Sequence, residues 1–178
     1  MSSKLKLILL VVLLPFASYA QSVDDCSSFQ VATVRAGVPT FSADLNDAIK
    51  DALPGDEILV GNGNYPKIKV KDKDNLVIKS TCGSIAQSFV LKRSMNIVID
   101  GFEVTNTSDM KSGIYLGKDQ NSNSFITIRN NKIHGETERS GLRVKNGNAN
   151  VLIENNEIYG NENGIVVNRG DADDPITI

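Results

Sequence analysis

Arg143 and Lys145 stand two residues apart in Gly141-Leu142-Arg143-Val144-Lys145. On a strand, alternate side chains share a face, so the two cations point one way and Leu142 and Val144 the other. A guanidinium beside an ammonium suits a carboxylate-bearing substrate. Arg143 would neutralise the carboxylate as a clamp, and Lys145 would take the acidified proton as a base, the pairing that β-elimination at a uronate requires. Two runs of the same pattern supply neighbours. Gly113-Ile114-Tyr115-Leu116-Gly117 puts Tyr115 in the column of Arg143, and Gly164–Asn168 puts Asn168 in the column of Lys145; both are assigned to substrate binding. Asp171, Asp173 and Asp174 crowd the loop Gly170–Pro175, where clustered carboxylates offer hard oxygen ligands for Ca2+. Plainer readings stand beside these: exposed cations on a solvated face, and a solvated acidic turn before Pro175. His134, between Thr105 and Tyr159 on a different strand, faces away from this surface. Asn106-Thr107-Ser108 is a glycosylation sequon, meaningful only in a eukaryotic source.

The elements that must hold these residues come from a repeat. Ile126–Ile133 (ITIRNNKI) is echoed at Val151–Ile158 (VLIENNEI), more faintly at Ile97–Val104 and Leu76–Gly83, and begins again at Ile176–Ile178; the starts are spaced 21, 29, 25 and 25 residues apart. An irregular period in the twenties, with strand alternation in each unit, predicts an all-β solenoid of three strands per coil. Asn130, Asn131, Asn155 and Asn156 are expected at tight bends, because Asn tolerates left-handed backbone and bonds locally. Ile97, Ile99, Ile126, Ile128, Val151 and Ile153 are expected inward on the first strands. Val104, Ile133 and Ile158 are expected inward on the second, and Ile114, Leu116, Leu142, Val144, Ile165 and Val167 on the third. Outward, Lys79, Asp100, Arg129 and Glu154 alternate in sign, a charge ladder of small worth per pair. Long loops of varied length flank the third strands and would wall a groove.

The chain has 178 residues and a formal net charge of −2. A mildly acidic balance gives no reason to expect nucleic acid or an anionic membrane as partner. Residues 1–20, with Lys4 and Lys6, an apolar run from Leu7 to Phe16 and small residues ending at Ala20, read as a secretory leader, so a secreted or periplasmic monomer without membrane anchor is expected. The run is short for a bilayer span. Export permits a Cys26–Cys82 disulfide, with two buried thiols the alternative. Residues 21–40 read as an arm. From Phe41 to Leu53 the apolar positions Leu45, Ala48, Ile49, Ala52 and Leu53 trace one helix face, with Ser42 as cap and Pro54-Gly55 as the stop. Such a helix would cover the open end of the first coil.

Leu53–Tyr65 (LPGDEILVGNGNY), following that helix, resembles the entry coil of the secreted pectin-lyase-like superfamily, which includes pectate, alginate and chondroitinase B-type lyases. The resemblance covers about residue 41 onward. It implies a right-handed parallel β-helix with a capping helix over 42–53. It also implies a substrate cleft on the third sheet, an acidic polysaccharide as partner, and calcium as a possible cofactor. Because Ile176-Thr177-Ile178 stops inside a strand, the expectation is an N-terminal piece of a longer protein. Three functions compete: a lyase of acidic glycans, or less directly an epimerase or hydrolase; a carbohydrate-binding or surface solenoid without chemistry; and a structural solenoid of the ice-binding kind, disfavoured by the lack of a regular Thr-x-Thr column. The near absence of aromatic stacking residues (no Trp in the chain) weighs against catalysis.

Overall fold

A computed structural model describes residues 30–105, 112–117, 122–135, 138–168 and 175–178. The leader, Cys26 and the acidic loop with Asp171, Asp173 and Asp174 lie outside the described residues, as does the sequon at Asn106.

The described chain opens with an antiparallel hairpin, β1 (Val31–Arg35) and β2 (Val38–Ser42), turned by Ala36 and Gly37, both at positive φ (49° and 80°). Two successive left-handed residues match the right-handed twist of the paired strands. This hairpin takes residues expected in the arm and the cap helix. Ser42 pairs with Val31 in the hairpin and lies two residues before the helix's cap position, so it is not the cap. The helix α1 (Leu45–Asp51) starts three residues later, with Asp44 as N-cap accepting from the Asp47 amide at 3.0 Å. Its buried face is Leu45, Ala48 and Ile49, continued by Ala52, whereas Leu53 lies beyond the helix and is exposed. The Lys73 ammonium donates to the carbonyls of Lys50 (2.6 Å) and Ala52 (2.9 Å), closing the helix end where orphan carbonyls and a negative dipole end favour a cation.

Five coils follow. They are β3 (Glu57–Val60), β4 (Asn64–Tyr65) and β5 (Ile68–Lys71); β6 (Asp74–Ser80), β7 (Ile85–Ala86) and β8 (Phe89–Lys92); β9 (Met95–Asp100), β10 (Glu103–Val104) and β11 (Ser112–Leu116); β12 (Ser124–Arg129), β13 (Lys132–His134) and β14 (Ser140–Val144); and β15 (Ala149–Glu154), β16 (Glu157–Tyr159) and β17 (Asn163–Val167). β18 (Ile176–Thr177) begins the next. Each coil gives one strand to each of three parallel sheets, a right-handed parallel β-helix. The hairpin extends the first sheet, β1 pairing antiparallel with β3, and α1 lies against the same end. The fold expected from the repeat is the one observed.

Inward residues stack in register. Ile58, Ile78, Ile99, Ile128 and Ile153 form one column, and Phe89, Ile114 and Leu142 part of another. Most are completely buried, each contributing roughly 1.5–3 kcal/mol by leaving water. The expected inward set is inward throughout, with Ile158, Ile165 and Val167 partly covered.

The first corner is an asparagine ladder. Asn130 and Asn155 take positive φ (55° and 54°), and the next residue in each coil turns inward. Asn131 is buried; its Oδ1 accepts the Phe102 amide (3.0 Å) and its Nδ2 reaches the carbonyls of Ile99 (3.1 Å) and Arg129 (2.8 Å). Asn156 Oδ1 accepts in turn from the Asn131 amide at 2.9 Å. A second ladder, not anticipated, closes the corner between third and first sheets. Asn148 Oδ1 accepts from Asn123 (Nδ2 at 2.7 Å), and Asn123 Oδ1 accepts the Ser94 amide (3.1 Å). Just before each first-sheet strand core sits a left-handed residue: Asn75, Asn96, Phe125 and Asn150, φ 52–54°. Phe125 is the misfit, since its side chain is 53% exposed and its Cβ makes this conformation costly. Phe125→Asn is expected to stabilise the protein by about 1 kcal/mol, read as a raised urea midpoint. A lowered midpoint would mean that the ring covers more apolar surface than its strain costs.

The first coil is tied to the hairpin by a bidentate ion pair. Arg35 donates to Asp56 through Nε (2.9 Å) and Nη2 (2.7 Å), and the Asp56 carboxylate also accepts the Leu53 amide at 2.8 Å. The Arg35 hydrogen bonds hold the Asp56 carboxyl below the usual carboxylate range. A lowered folded pKa means that this contribution is present above the ordinary Asp range and is lost as pH falls through the folded value. Asp56→Asn should therefore flatten the acid limb of a stability-against-pH curve; an unchanged limb would remove the pair as its source. Tyr65, buried nearby, brings its hydroxyl within 2.9 Å of the Gln30 carbonyl. Cys82 is disulfide-bonded, which answers the cysteine alternative left open by the sequence.

Candidate functional site

Strand register fixes what each outward face carries. On the first sheet Lys79, Asp100, Arg129 and Glu154 stand in one column, and Arg129 Nε donates to Asp100 at 2.9 Å. On the second, Glu103, Lys132 and Glu157 alternate in the same way. There His134 meets Glu103 at 2.9 Å and stacks on Tyr159 (centroids 4.9 Å apart, planes 12° apart), while Lys132 lies 5.5 Å from the Tyr159 ring centre. The Tyr159 hydroxyl, chiefly by hydrogen bonding, raises the Lys132 pKa. These faces are internally compensated, and His134 lies on the second sheet, away from the groove, as expected.

The third sheet differs. Its strands contain no Asp or Glu. One outward column reads Lys69, Val90, Tyr115, Arg143, Val166; the next runs Lys71, Lys92, Gly117, Lys145, Asn168, the later members continuing the hydrogen-bond ladder past the strand ends. Register places Arg143 beside Tyr115, and Lys145 beside Asn168, on one face. Arg143 Nη2 donates to the buried Ser140 Oγ at 3.2 Å, and its Nε is buried with no hydrogen-bond partner. One nitrogen of the guanidinium is thus anchored to the scaffold. Gly117 leaves room for its neighbours: a Cβ there would come within 3.1 Å of the Tyr115 ring and 3.5 Å of the Lys92 stem. The Tyr115 ring therefore leans over the Lys92–Lys145 column, an apolar flat surface among cations.

The sequence reading missed the earlier half of this face. Lys67, Lys69, Lys71, Val90, Lys92 and Arg93 line one depression of about 310 Å3. The signal was the alternation Lys67-Ile68-Lys69-Val70-Lys71, which passed unused because the first coil was not divided into three strands. Asn46 of α1 fixes this strand from the side, its Oδ1 accepting the Lys69 amide at 2.8 Å and its Nδ2 donating to the Lys67 carbonyl at 3.2 Å. Among the described residues no cluster of three or more His, Cys, Asp or Glu could hold a metal ion. No described helix is long and apolar enough to cross a membrane.

A family model described as "Right handed beta helix region" matches residues 59–176. No curated protein and no solved structure matches the chain.

Proposed function

The chain belongs to the right-handed β-helix family, and from that premise we propose that it is an exported protein that binds a uronate-containing polysaccharide on its third sheet and cleaves it by β-elimination. The observation that carries this reading is the charge of that sheet: Lys69, Lys71, Lys92, Arg143 and Lys145 face outward with no carboxylate in the strands, while the other two faces alternate in sign. Positive charge gathered along a groove concentrates a polyanion.

In the proposed reaction Arg143 pairs with the uronate carboxylate, drawing electron density from C5 and stabilising the enolate-like charge that develops. Lys145, as the free amine, takes the C5 proton. The C5–H electron pair becomes the C4–C5 double bond, the C4–O bond breaks, and the departing oxygen takes a proton from water. Tyr115 stacks against a sugar ring and Asn168 hydrogen-bonds its hydroxyls. Asp171, Asp173 and Asp174 are proposed as calcium ligands.

The test is ultraviolet absorbance of the unsaturated uronate, with the full chain incubated with pectate, alginate or chondroitin, each with Ca2+ and with chelator. New absorbance on at least one polymer is expected. No absorbance on any, in either condition, removes the elimination, and retained binding would make the protein a carbohydrate-binding solenoid.

A further inference from the structure

The outward face of the first sheet has an apolar middle column. Register places Val77, Val98, Thr127 and Leu152 side by side on consecutive coils, all half-buried. Along one flank run the left-handed positions Asn75, Asn96, Phe125 and Asn150. Three of these coils use Asn, whereas the fourth exposes a phenyl ring at a conformational cost. A strained residue that gains little from its own chain points to a contact made by something else. Along the other flank stands the column Lys79, Asp100, Arg129, Glu154. Its inner members satisfy each other: the Asp100 carboxylate accepts from Arg129 Nε at 2.9 Å and from Asn130 Nδ2 at 2.8 Å. Its end members do not. Among the described residues, neither the Lys79 ammonium nor the Glu154 carboxylate has a side-chain partner. They stand three coils apart, about 14 Å at about 4.8 Å per coil, too far to meet within one chain.

We propose that this face is a dimer interface, and that its occupant is a second copy of the chain, related by a two-fold axis lying along the strands. Such an axis reverses the order of the coils, so an alternating column of four charges meets its own opposite. Lys79 comes to Glu154 of the second copy, and Glu154 to its Lys79. With the axis between the third and fourth coils, Val77 meets Leu152, Val98 meets Thr127, and Phe125 lies on Asn96 of the second copy. An axis along the coil stack would instead lay the charged column over the left-handed one and leave Lys79 and Glu154 unpaired. Five coils at about 4.8 Å and six residues at about 3.3 Å make a face of about 24 by 20 Å, so two copies bury roughly 1,000 Å2 together. That is the lower edge of stable interfaces, and association in the micromolar range follows. A dimer departs from the monomer expected from the sequence, because the column becomes self-complementary only once the coils are stacked. The third sheet stays open in it, and a protein without elimination activity can still dimerise.

The experiment is sedimentation of the full chain from about 1 to about 100 µM, for the wild type, Lys79→Glu, Glu154→Lys and the double reversal. The wild type should pass from monomer to dimer across this range. Each single reversal sets like charges against each other at both ends of the interface and should weaken association at least about tenfold. The double reversal restores opposite pairs only between two copies, and should recover association to within about threefold of the wild type. Phe125→Asn should also weaken association, although it makes each copy more stable. Thermal midpoints at the lowest concentration check that every variant is folded. If a reversal fails to fold, Lys79→Ser and Glu154→Ser take its place, and their combination should then associate no more weakly than either alone. A monomer at every concentration, a single reversal that associates like the wild type, or a double reversal without recovery would each overturn the proposal.

Discussion

Asn131→Ala is expected to destabilise the protein by about 3 kcal/mol, because it strands several buried polar groups at once. The Asn131 side chain is the partner of the Phe102 amide one coil back and of the Ile99 and Arg129 carbonyls, and it bonds Asn156 one coil on at 3.0 Å. Alanine leaves these groups in a space that is only 1% exposed, where each orphan costs about 1–3 kcal/mol unless the corner opens to water. Asn156→Ala, at a half-buried position, should cost less. Asn130→Ala should cost only about 1 kcal/mol, chiefly for placing a Cβ in left-handed backbone. The checks are urea unfolding and hydrogen exchange of the Phe102 amide, which should lose protection in Asn131→Ala. A cost below about 1 kcal/mol with the amide still protected would show that the ladder is dispensable.

Lys145→Ala is expected to lower kcat at least about 100-fold on whichever uronate polymer is cleaved, with binding largely kept, since a positioned base contributes about 10²–10⁴-fold. Arg143→Ala should lose a comparable factor with weaker binding as well, because a carboxylate clamp acts in both the ground state and the transition state. The Ser140 contact predicts that Arg143→Lys rescues little: an ammonium cannot anchor one nitrogen to Ser140 and present another in a planar fork. Arg129→Ala, on the compensated first sheet, should leave kcat unchanged. Full activity in Lys145→Ala would dismiss it as the base and point to Tyr115, the neighbour whose hydroxyl could take its place.

The columns were legible because a solenoid repeats its register. Once Ile126–Ile133 and Val151–Ile158 were aligned, period-two alternation placed every inward residue of the later coils. The same alignment brought Tyr115 beside Arg143. It could not reach the two-residue strands β4 and β7, which are too short to show a period. Nor could it reach the hairpin at Ala36-Gly37, because alanine does not advertise a left-handed turn. Taking Ser42 as the cap followed from that omission. Asn123 and Asn148 looked like loop residues, since nothing local shows that their side chains bond a neighbouring coil. The lysine pair Lys71 and Lys92 was invisible for the same reason: residues 21 apart become neighbours only when the coils stack.

Lysine-modification footprinting of the full chain, with and without a saturating uronate polymer, tests the central claim most directly. Bound polymer should protect Lys145 and its third-sheet neighbours Lys69, Lys71 and Lys92, and leave Lys79 on the first sheet and Lys132 on the second as reactive as before. Protection of Lys79 or Lys132 equal to that of Lys145, or saturation with no protection of Lys145, would contradict a binding face on the third sheet.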